Sequence, residues 1–199
     1  DFTAAIIGAG LGADEIEIWT DVDGVMTADP RKVKKAFSLS HMTYEEAMEM
    51  SHFGAKVIHP PTVQPALDKK IPIRIRNTFN PTFEGTLITF KDNTDYPVKG
   101  ISSISDISLM TVQGSGLIGV TGIAGRLFTV LAQHRVNIIL ITQASSEHSI
   151  TFAVKPADTQ RAKKAIEEAF LYEIRSHLIN EVSIENDLAI VAVIGSGMK

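Results

Sequence analysis

A polar stretch near the middle of the chain, KDNTDYPVKG at residues 91–100, constrains the fold most strongly because it separates two sets of apolar segments. It holds four charged residues with an Asn, a Pro and a Gly, a composition typical of a linker or an exposed crossover. At about 150 residues per domain, the chain length predicts one large domain or two small ones. The position of the break favours two, over residues 1–92 and 98–199.

The first part mixes strand and helix patterns. EIEIW at 15–19 alternates apolar and polar positions with the period of a strand, and so does IPIRIR from residue 71. Thr43 and Glu46 have the spacing of a capping box, which predicts a helix from the next residue onward. We predict strands at 15–19, 71–79 and 85–90, and helices at 3–12, 44–54 and 61–70. Strands separated by helices indicate an α/β layered domain.

The second part has the order βαββαβ, which is typical of a ferredoxin-like domain. We predict strand 108–113, helix 123–134, strands 136–142 and 149–154, helix 157–170, and strands near 182 and at 189–194. VQGSG at 112–116 recurs as VIGSG at 193–197, each time after an apolar strand. The recurrence favours a repeated module whose second copy is incomplete at Lys199, with chance recurrence as the alternative. Because the first residue is Asp1 and not Met, we expect a piece of a longer protein.

Composition excludes several classes of function. Nineteen Lys and Arg against 23 Asp and Glu give a net charge of −4, which argues against broad binding to nucleic acid or anionic membranes. The chain has no Cys, so it has no disulfides, thiolate zinc sites or Cys nucleophile. The six His are scattered and form no HExxH motif, so no metal site is predicted. No apolar run is long enough for a membrane helix.

Two glycine motifs suggest a dinucleotide site. GSGLIG at 114–119 follows a predicted strand and precedes a helix, and GAGLGA at 8–13 matches a variant of the same pattern. A dinucleotide site also needs an acidic residue after the next strand, but that strand ends at Gln143. GAGLGA closes a predicted helix instead of opening one. We therefore interpret both motifs as tight turns that glycine permits.

The densest polar cluster is WTDVDGVMTADPR at 19–31. Its Asp residues follow a predicted strand, where α/β sheets bind ligands, although two consecutive turns would explain them equally well. Lys56 lies among apolar residues after a helix and either extends to solvent or faces phosphate oxygens. Arg74 and Arg76 alternate on a strand and are expected to form a solvated face.

Several of these strings resemble one family. DFTAAIIGAGLGADEIEIWTDVDGVMTADPR, followed by MTYEEAMEMSHFGAKVIHP, resembles the C-terminal part of the aspartokinase catalytic domain, which has the amino-acid kinase (carbamate kinase-like) fold. VKGIS, GSGLIGVTGIAGRLF and LITQASSEHSI resemble the ACT regulatory region of the same family, most of all in bifunctional aspartokinase–homoserine dehydrogenases. The resemblance implies an amino-acid kinase segment at 1–92, a complete ACT domain at about 105–175 and the start of a second ACT domain.

The resemblance also implies site residues. Asp1 matches the Asp of a Ser-Asp-Tyr-Thr motif at the reacting phosphate, which makes it the implied catalytic residue, and Met26 stands where many members have Tyr. The implied nucleotide contacts are Thr20, Asp21, Met26, Arg31, Lys56 and Val57.

The family transfers the γ-phosphoryl group of ATP, with Mg²⁺ as part of the co-substrate, to the side-chain carboxylate of L-aspartate. This phosphotransfer to a carboxyl acceptor is the first step of lysine, threonine and methionine biosynthesis. Mg²⁺ and positive side chains neutralise the charge that develops on the phosphoryl group. The family's catalytic Lys and glycine-rich phosphate loops would precede Asp1, so we expect the 199 residues alone to be inactive.

ACT domains pair side by side and bind an amino acid, so the resemblance also implies a homodimer and an effector. Lysine-sensitive members carry an Asp where this chain has Ile139, and burying a lysine ammonium there without a counter-charge would be costly. Gln143 matches threonine-sensitive members and can donate and accept hydrogen bonds. We therefore expect threonine as the inhibitor, with contacts from Gly116, Gly119, Ile141 and Gln143.

Two other functions stay open. One is an amino-acid-sensing or oligomerisation module without catalysis, and the other, on GSGLIG alone, is a nicotinamide-dependent oxidoreductase. We expect a cytoplasmic protein with no nucleic-acid partner.

Overall fold

The computed structural model describes residues 1–55, 58–91, 96–143 and 148–198. It divides into two compact units, one formed by residues 1–104 with 191–199 and the other by residues 105–190. The boundary predicted at 92–98 precedes the division seen in the structure, because residues 98–104 still pack within the first unit. No helix in the described part of the chain is long and apolar enough to cross a membrane.

The first unit contains helices α1 to α3 and strands β1 to β4. Their bounds are α1 Phe2–Leu11, β1 Ile16–Thr20, β2 His41–Thr43, α2 Tyr44–His52, α3 Pro60–Lys69, β3 Ile73–Asn77 and β4 Thr86–Thr89. Sequence predicted all of these elements within a few residues, except the short strand β2. The four strands form one sheet in the order β1-β3-β4-β2, with β1 parallel to β3 and β3 antiparallel to β4. The predicted α/β layered domain is confirmed.

Alternating residues of β1 and β3 form two different faces. Ile16, Ile18 and Ile73 point into the core and are nearly completely buried. On the opposite face Arg74 pairs with Glu15 at 2.7 Å and Arg76 with Glu17 at 3.0 Å. The prediction that these arginines form a solvated face was wrong, because both side chains are more than three-quarters buried against the neighbouring strand.

Helix α2 begins with the predicted capping box. The Thr43 hydroxyl accepts a hydrogen bond from Glu46 N at 3.1 Å, and the Glu46 carboxylate accepts one from Thr43 N at 2.8 Å. These two bonds satisfy backbone N–H groups that the start of a helix otherwise leaves unpaired. The capping box therefore fixes where the helix begins.

Tyr44, the first residue of α2, gives the first unit a measurable pH dependence. Its hydroxyl is buried and donates to the carbonyl oxygen of Ile71, and burial raises its pKa from 10.0 to about 12. The unfolded chain releases this proton near pH 10 and the folded chain only near pH 12, so the free energy of unfolding falls as pH rises through that interval. We expect Tyr44→Phe to lack this component in denaturant titrations below and above pH 10. Tyr96→Phe, at an exposed tyrosine, is the control, and equal pH dependence of both variants would contradict the assignment.

The second unit lies around four strands and two main helices. The elements are β5 Gly100–Gln113, α4 Ile123–Gln133, β6 Leu140–Gln143, β7 Ser149–Val154, α5 Thr159–Ala169, α6 Leu171–Arg175 and β8 Ser183–Ile194. The sheet order is β6-β7-β5-β8, and β7 is antiparallel to both of its neighbours. Phe152 of β7, Leu127 of α4 and Ile166 of α5 are fully buried in its core. The predicted βαββαβ order is confirmed, with the short helix α6 added.

Strands β5 and β8 are longer than predicted. The separate strands expected near 182 and at 189–194 are wrong, because residues 183–194 form one strand. Asp187 lies within this strand and has a φ of 59°. Asp106 of β5 has a φ of 56°. Aspartate is among the few residues that adopt this left-handed conformation, so each strand continues through a local irregularity.

Candidate functional site

Hydrogen bonds hold the bend after β1 against the neighbouring strands and the loop after β3 at three points. Thr78 N donates to Thr20 O at 2.9 Å. The Asp23 carboxylate accepts from the side-chain amides of Asn77 at 2.8 Å and Asn80 at 3.1 Å. Further along, Val25 N donates to the Thr86 hydroxyl at 2.8 Å. The bend therefore has a fixed shape at the carboxyl ends of two parallel strands, where α/β sheets bind ligands.

The predicted nucleotide residues on this bend lie in different environments. The Thr20 hydroxyl donates to Asp21 at 3.2 Å, which brings these two side chains together. Met26 pairs with Ser38, whose hydroxyl lies 3.2 Å from the Met26 sulfur. Arg31 is 86% exposed and pairs with Asp29 at 2.9 Å. Hydrogen bonds from Arg31 hold the pKa of the Asp29 carboxyl at about 2, so the pair stays ionised at neutral pH.

The remaining predicted residues are not joined to this group by the described contacts. Asp1 precedes α1, its carbonyl oxygen accepts from Ala5 N at 3.0 Å, and its side chain makes no capping bond. Lys56 and Val57 lie outside the described residues. Sequence reasoning placed Asp23 in the polar cluster after β1, where a ligand could bind, but did not identify Asn77 or Asn80 as site residues. Their signal was the presence of polar residues directly after two strands that proved to be neighbours.

Trp19 provides a spectroscopic probe next to this bend. It is the only Trp in the chain and is 45% exposed. Its indole N–H donates to Glu17 at 2.9 Å, and the Arg76 guanidinium lies 4.8 Å from the ring centre. A ligand bound near Thr20 would therefore change the surroundings of a single fluorophore.

A second candidate site is a pocket of about 280 Å³ in the second unit. It lies between the loop that precedes α4, the first turn of α4 and the ends of β6 and β7. The described lining residues are all uncharged: Leu117, Val120, Thr121, Gly122, Ile123, Ala124, Gly125, Gln143 and Ile150. Gly122 is the N-cap of α4, a helix of 11 residues, and has a φ of 88°. The first N–H groups of a helix have no intrahelical partners, and residues 123–125 of the first turn line the pocket.

The structure separates the four predicted effector residues. Gln143 lines the pocket, whereas Gly116, Gly119 and Ile141 are not among the lining residues. Gly116 N donates to Leu178 O at 2.7 Å, and a Cβ on Gly116 would lie 2.7 Å from the Leu178 side chain. Gly119 has a φ of 65° in the loop, and Ile141 is half exposed on β6. The lining residues 120–125 were missed, although a glycine directly before a helix was a usable signal.

No group of three or more His, Asp or Glu residues that could hold a metal ion occurs within the described ranges.

Comparison with known proteins assigns both units. Residues 1–77 match the amino acid kinase family and residues 110–170 match the ACT domain. The bifunctional aspartokinase/homoserine dehydrogenase of Haemophilus influenzae is 44% identical over 200 residues, which cover all of this chain and 24% of that protein. The chain thus spans about a quarter of the length of the bifunctional relatives it matches.

Two aspartate kinases of known structure have the same fold. That of Clostridium acetobutylicum superposes with a TM-score of 0.87 at 29% identity, over 99% of this chain and 45% of that one. Escherichia coli aspartokinase III, solved with aspartate and ADP, gives 0.79 at 30% identity over 99% and 43%. The same enzyme with lysine and aspartate gives 0.77 at 32% identity over 98% and 42%. The chain belongs to the aspartokinase family, with a segment of the amino-acid kinase domain followed by ACT structure.

Proposed function

We propose that this chain is part of an aspartate kinase that phosphorylates L-aspartate with ATP and Mg²⁺ and is inhibited by threonine. The main support for a kinase function is the bend at 20–25, which hydrogen bonds hold in a fixed shape. A bend with a fixed shape loses little entropy when a nucleotide binds beside it. Escherichia coli aspartokinase III was solved with aspartate and ADP, which supports these ligands for the present chain.

In the proposed reaction the described residues bind and orient the nucleotide and form no covalent bond with it. A carboxylate oxygen of aspartate attacks the γ-phosphorus of ATP, the bond to the bridging oxygen breaks, and ADP leaves with the electron pair. Thr20 and Asp21 orient the nucleotide at the end of β1, and Arg31 is exposed enough to turn from Asp29 toward a phosphate. Asp1 is proposed at the substrate side, and Lys56 and Val57 at the nucleotide.

Fluorescence of Trp19 tests nucleotide binding. We expect ADP with Mg²⁺ to change the emission because the indole directly precedes Thr20 in the chain, and we expect NADP⁺ to leave it unchanged. Asp21→Ala should abolish the response, whereas Asp14→Ala, in the turn before β1, should keep it. An equal response to NADP⁺, or none to ADP, would contradict a kinase nucleotide site.

The pocket beside α4 supports the regulatory part. The first turn of a helix favours a carboxylate, and Gln143 can hydrogen-bond a hydroxyl group. No described lining residue carries a charge to pair with the ammonium group of lysine, so desolvation of that group would be uncompensated. We therefore propose threonine as the effector, although the E. coli enzyme was solved with lysine.

Calorimetry with both amino acids tests this choice. We expect threonine to bind the chain at least about tenfold more tightly than lysine, which corresponds to about 1.4 kcal/mol. Gln143→Glu should weaken threonine and strengthen lysine because it adds the missing counter-charge. Glu185→Gln, on exposed strand β8, changes the net charge by one unit outside the pocket and serves as the control. Tighter binding of lysine to the unmodified chain would contradict the proposal.

Pairing of ACT units is the proposed basis of a homodimer. Strand β6 is an edge of its sheet and all four of its residues are exposed, including the apolar Leu140 and Ile141. Exposed apolar edges are suited to pair with another chain. The same observation favours the second candidate function, a sensing and oligomerisation module without catalysis. A dimer that binds threonine but gives no Trp19 response to ADP would favour that alternative.

The second ACT domain is likewise a proposal, supported by the internal repeat. Positions 81 residues apart have opposite exposure: Met110, Val112 and Val182 are buried, whereas Val191, Val193 and Ile101 are about half exposed or more. The first set packs in the core with α4 and α5. The exposed set is suited to a pair of helices of the same kind, supplied by a completed second ACT copy.

A further inference from the structure

Two aspartates on the bend after β1, two residues apart, have different surroundings. The side chain of Asp21 is exposed, and its described contact is with the hydroxyl of the neighbouring Thr20. Asp23 is half-buried, and its Oδ1 accepts from the side-chain amides of both Asn77 and Asn80. The first carboxylate is therefore accessible to a ligand, whereas the second joins the bend to the loop after β3.

The backbone is fixed on both sides of Asp21. Before it, Thr20 O accepts from Thr78 N at 2.9 Å. After it, the Asp23 carboxylate accepts the two amide bonds at 2.8 and 3.1 Å. Only Asp21 and Val22 separate these two points of attachment. The position of the Asp21 carboxylate therefore depends on both of them.

Asn77 is matched to Asp23 by the two ends of its amide group. It is the last residue of β3 and is 9% exposed. Its Nδ2 donates to Asp23 at 2.8 Å and its Oδ1 accepts from Phe79 N at 2.9 Å, so the donating and the accepting end are both used. Asn80 N donates to Asn77 O at 3.2 Å, which brings the second amide beside the first. Loss of the carboxylate would leave a buried amide donor without its partner, which is costly.

We propose that Asp23, Asn77 and Asn80 are positioning residues for the nucleotide site. They hold the segment that carries Thr20 and Asp21 in the conformation that binds the nucleotide, so the ligand does not have to order it. The inference rests on the proposed nucleotide role of Thr20 and Asp21. It adds the loop after β3 to the site and assigns different tasks to the two aspartates: Asp21 contacts the ligand, and Asp23 orients the bend.

Exchanging the carboxylate and the amide tests this contact, with the Kd for ADP and Mg²⁺ measured on the full chain by Trp19 fluorescence. Asn77→Asp places a second carboxylate beside Asp23, and we expect the Kd to rise about tenfold or more, because the charges repel and a donor is lost. Asp23→Asn with Asn77→Asp restores one carboxylate and one amide in exchanged positions. The double variant can also keep the bonds from Phe79 N and from the Asn80 amide, so its Kd should return to within about threefold of the original. A double variant that binds ADP as weakly as Asn77→Asp would overturn the proposal.

Asn80→Ala is a milder change at the same contact. It removes the longer of the two hydrogen bonds to Asp23 and leaves Asn77 in place. We expect the Kd for ADP to rise about threefold to tenfold, as for one hydrogen bond to a charged group. An unchanged Kd would show that the orientation of Asp23 does not determine nucleotide affinity, which would overturn the proposal.

A variant elsewhere in the first unit separates positioning from stability. Thr43→Val removes the hydroxyl that accepts from Glu46 N in the capping box of α2, so it destabilises the same unit away from the bend. We expect its Kd for ADP to stay within about twofold of the original. If Thr43→Val weakens ADP binding as much as Asn80→Ala does, stability of the unit explains the effect and the positioning role is overturned.

Failure of this inference and failure of the proposed nucleotide site give different results. If the unmodified chain shows no response to ADP, the nucleotide site is wrong and the inference falls with it. If the unmodified chain responds and Asn77→Asp binds ADP with full affinity, the nucleotide site stands and only the positioning role is overturned.

Discussion

Replacing Gly85 with alanine is expected to unfold the first unit or to destabilise it by about 3 kcal/mol or more. Gly85 has a φ of 74°, which an alanine adopts only with strain, and the added Cβ would lie 1.8 Å from Ile75 O. That oxygen belongs to the backbone of the inner strand β3, so it cannot move without disturbing the pairing of Ile75 with Thr86. Denaturant unfolding followed by Trp19 fluorescence measures the loss.

Gly10→Ala is the matched control for this prediction. Gly10 lies in α1, and nothing lies within 4 Å of the position its Cβ would take. Alanine at a helix interior should stabilise by about 0.5–1 kcal/mol, because it lowers the entropy of the unfolded chain without a clash. Similar unfolding curves for Gly85→Ala and the unmodified chain would show that β4 can shift, contrary to the expectation.

Local patterns predicted most of the fold because they act over a few residues. Thr43 and Glu46 form their capping box within one turn, so the start of α2 could be predicted from spacing alone. The charged face of β1 and β3 could not, since the Arg74–Glu15 and Arg76–Glu17 pairs depend on the parallel register of two strands far apart in sequence. Without that register, arginines at alternate positions are indistinguishable from a solvated face.

In the candidate sites, too, contacts between residues far apart in sequence could not be predicted. Asp21 and Asp23 were singled out by their place after a strand and Thr20 by the family resemblance, but the hydrogen bonds of Asp23 could not be predicted, because they depend on where the end of β3 lies. In the second unit, Gln143 was predicted from the resemblance and lines the pocket, whereas residues 120–125 line the same pocket and were not predicted. Glycine-rich loops leave the chain many possible paths, so the sequence does not determine which glycines face a ligand and which pack against a strand.

The repeat was recognised from five residues and extends further in the structure. The irregular φ angles at Asp106 and Asp187 and the close approaches at Gly114 and Gly195 recur with the same offset of 81 residues. Short motifs such as Gly-Ser-Gly recur by chance, but equivalent backbone contacts do not. The serine is the point of difference, because Ser196 binds the Glu46 carboxylate in the first unit.

Gly114→Ala should be the most damaging single-methyl change in the second unit. Its φ of 164° suits any residue, so the effect is purely steric: the added Cβ would lie 2.2 Å from Leu178 O and 2.6 Å from Ile179 Cα. Both are backbone atoms, and Gly116 N already donates to Leu178 O. Relieving the clash requires the segment before β8 to separate from the loop. We expect a loss of about 2–4 kcal/mol in the free energy of unfolding, as for overpacking against a rigid backbone.

Exchange of individual amides distinguishes this prediction from general loosening. Gly114→Ala should expose Asn180 N, which donates to Gln113 O beside the clash, whereas Gly195→Ala should expose Lys99 N, which donates to Ile194 O at the equivalent loop of the first unit. Gly125→Ala, in α4 with no atom within 4 Å of its Cβ, should instead raise the stability of the second unit. If Gly114→Ala speeds exchange at Lys99 as much as at Asn180, the loop at Gly114 and the equivalent loop at Gly195 open together. In that case neither loop stabilises only its own unit. Faster exchange at Asn180 alone is the expected result, because all the backbone atoms that the added Cβ would contact belong to the second unit.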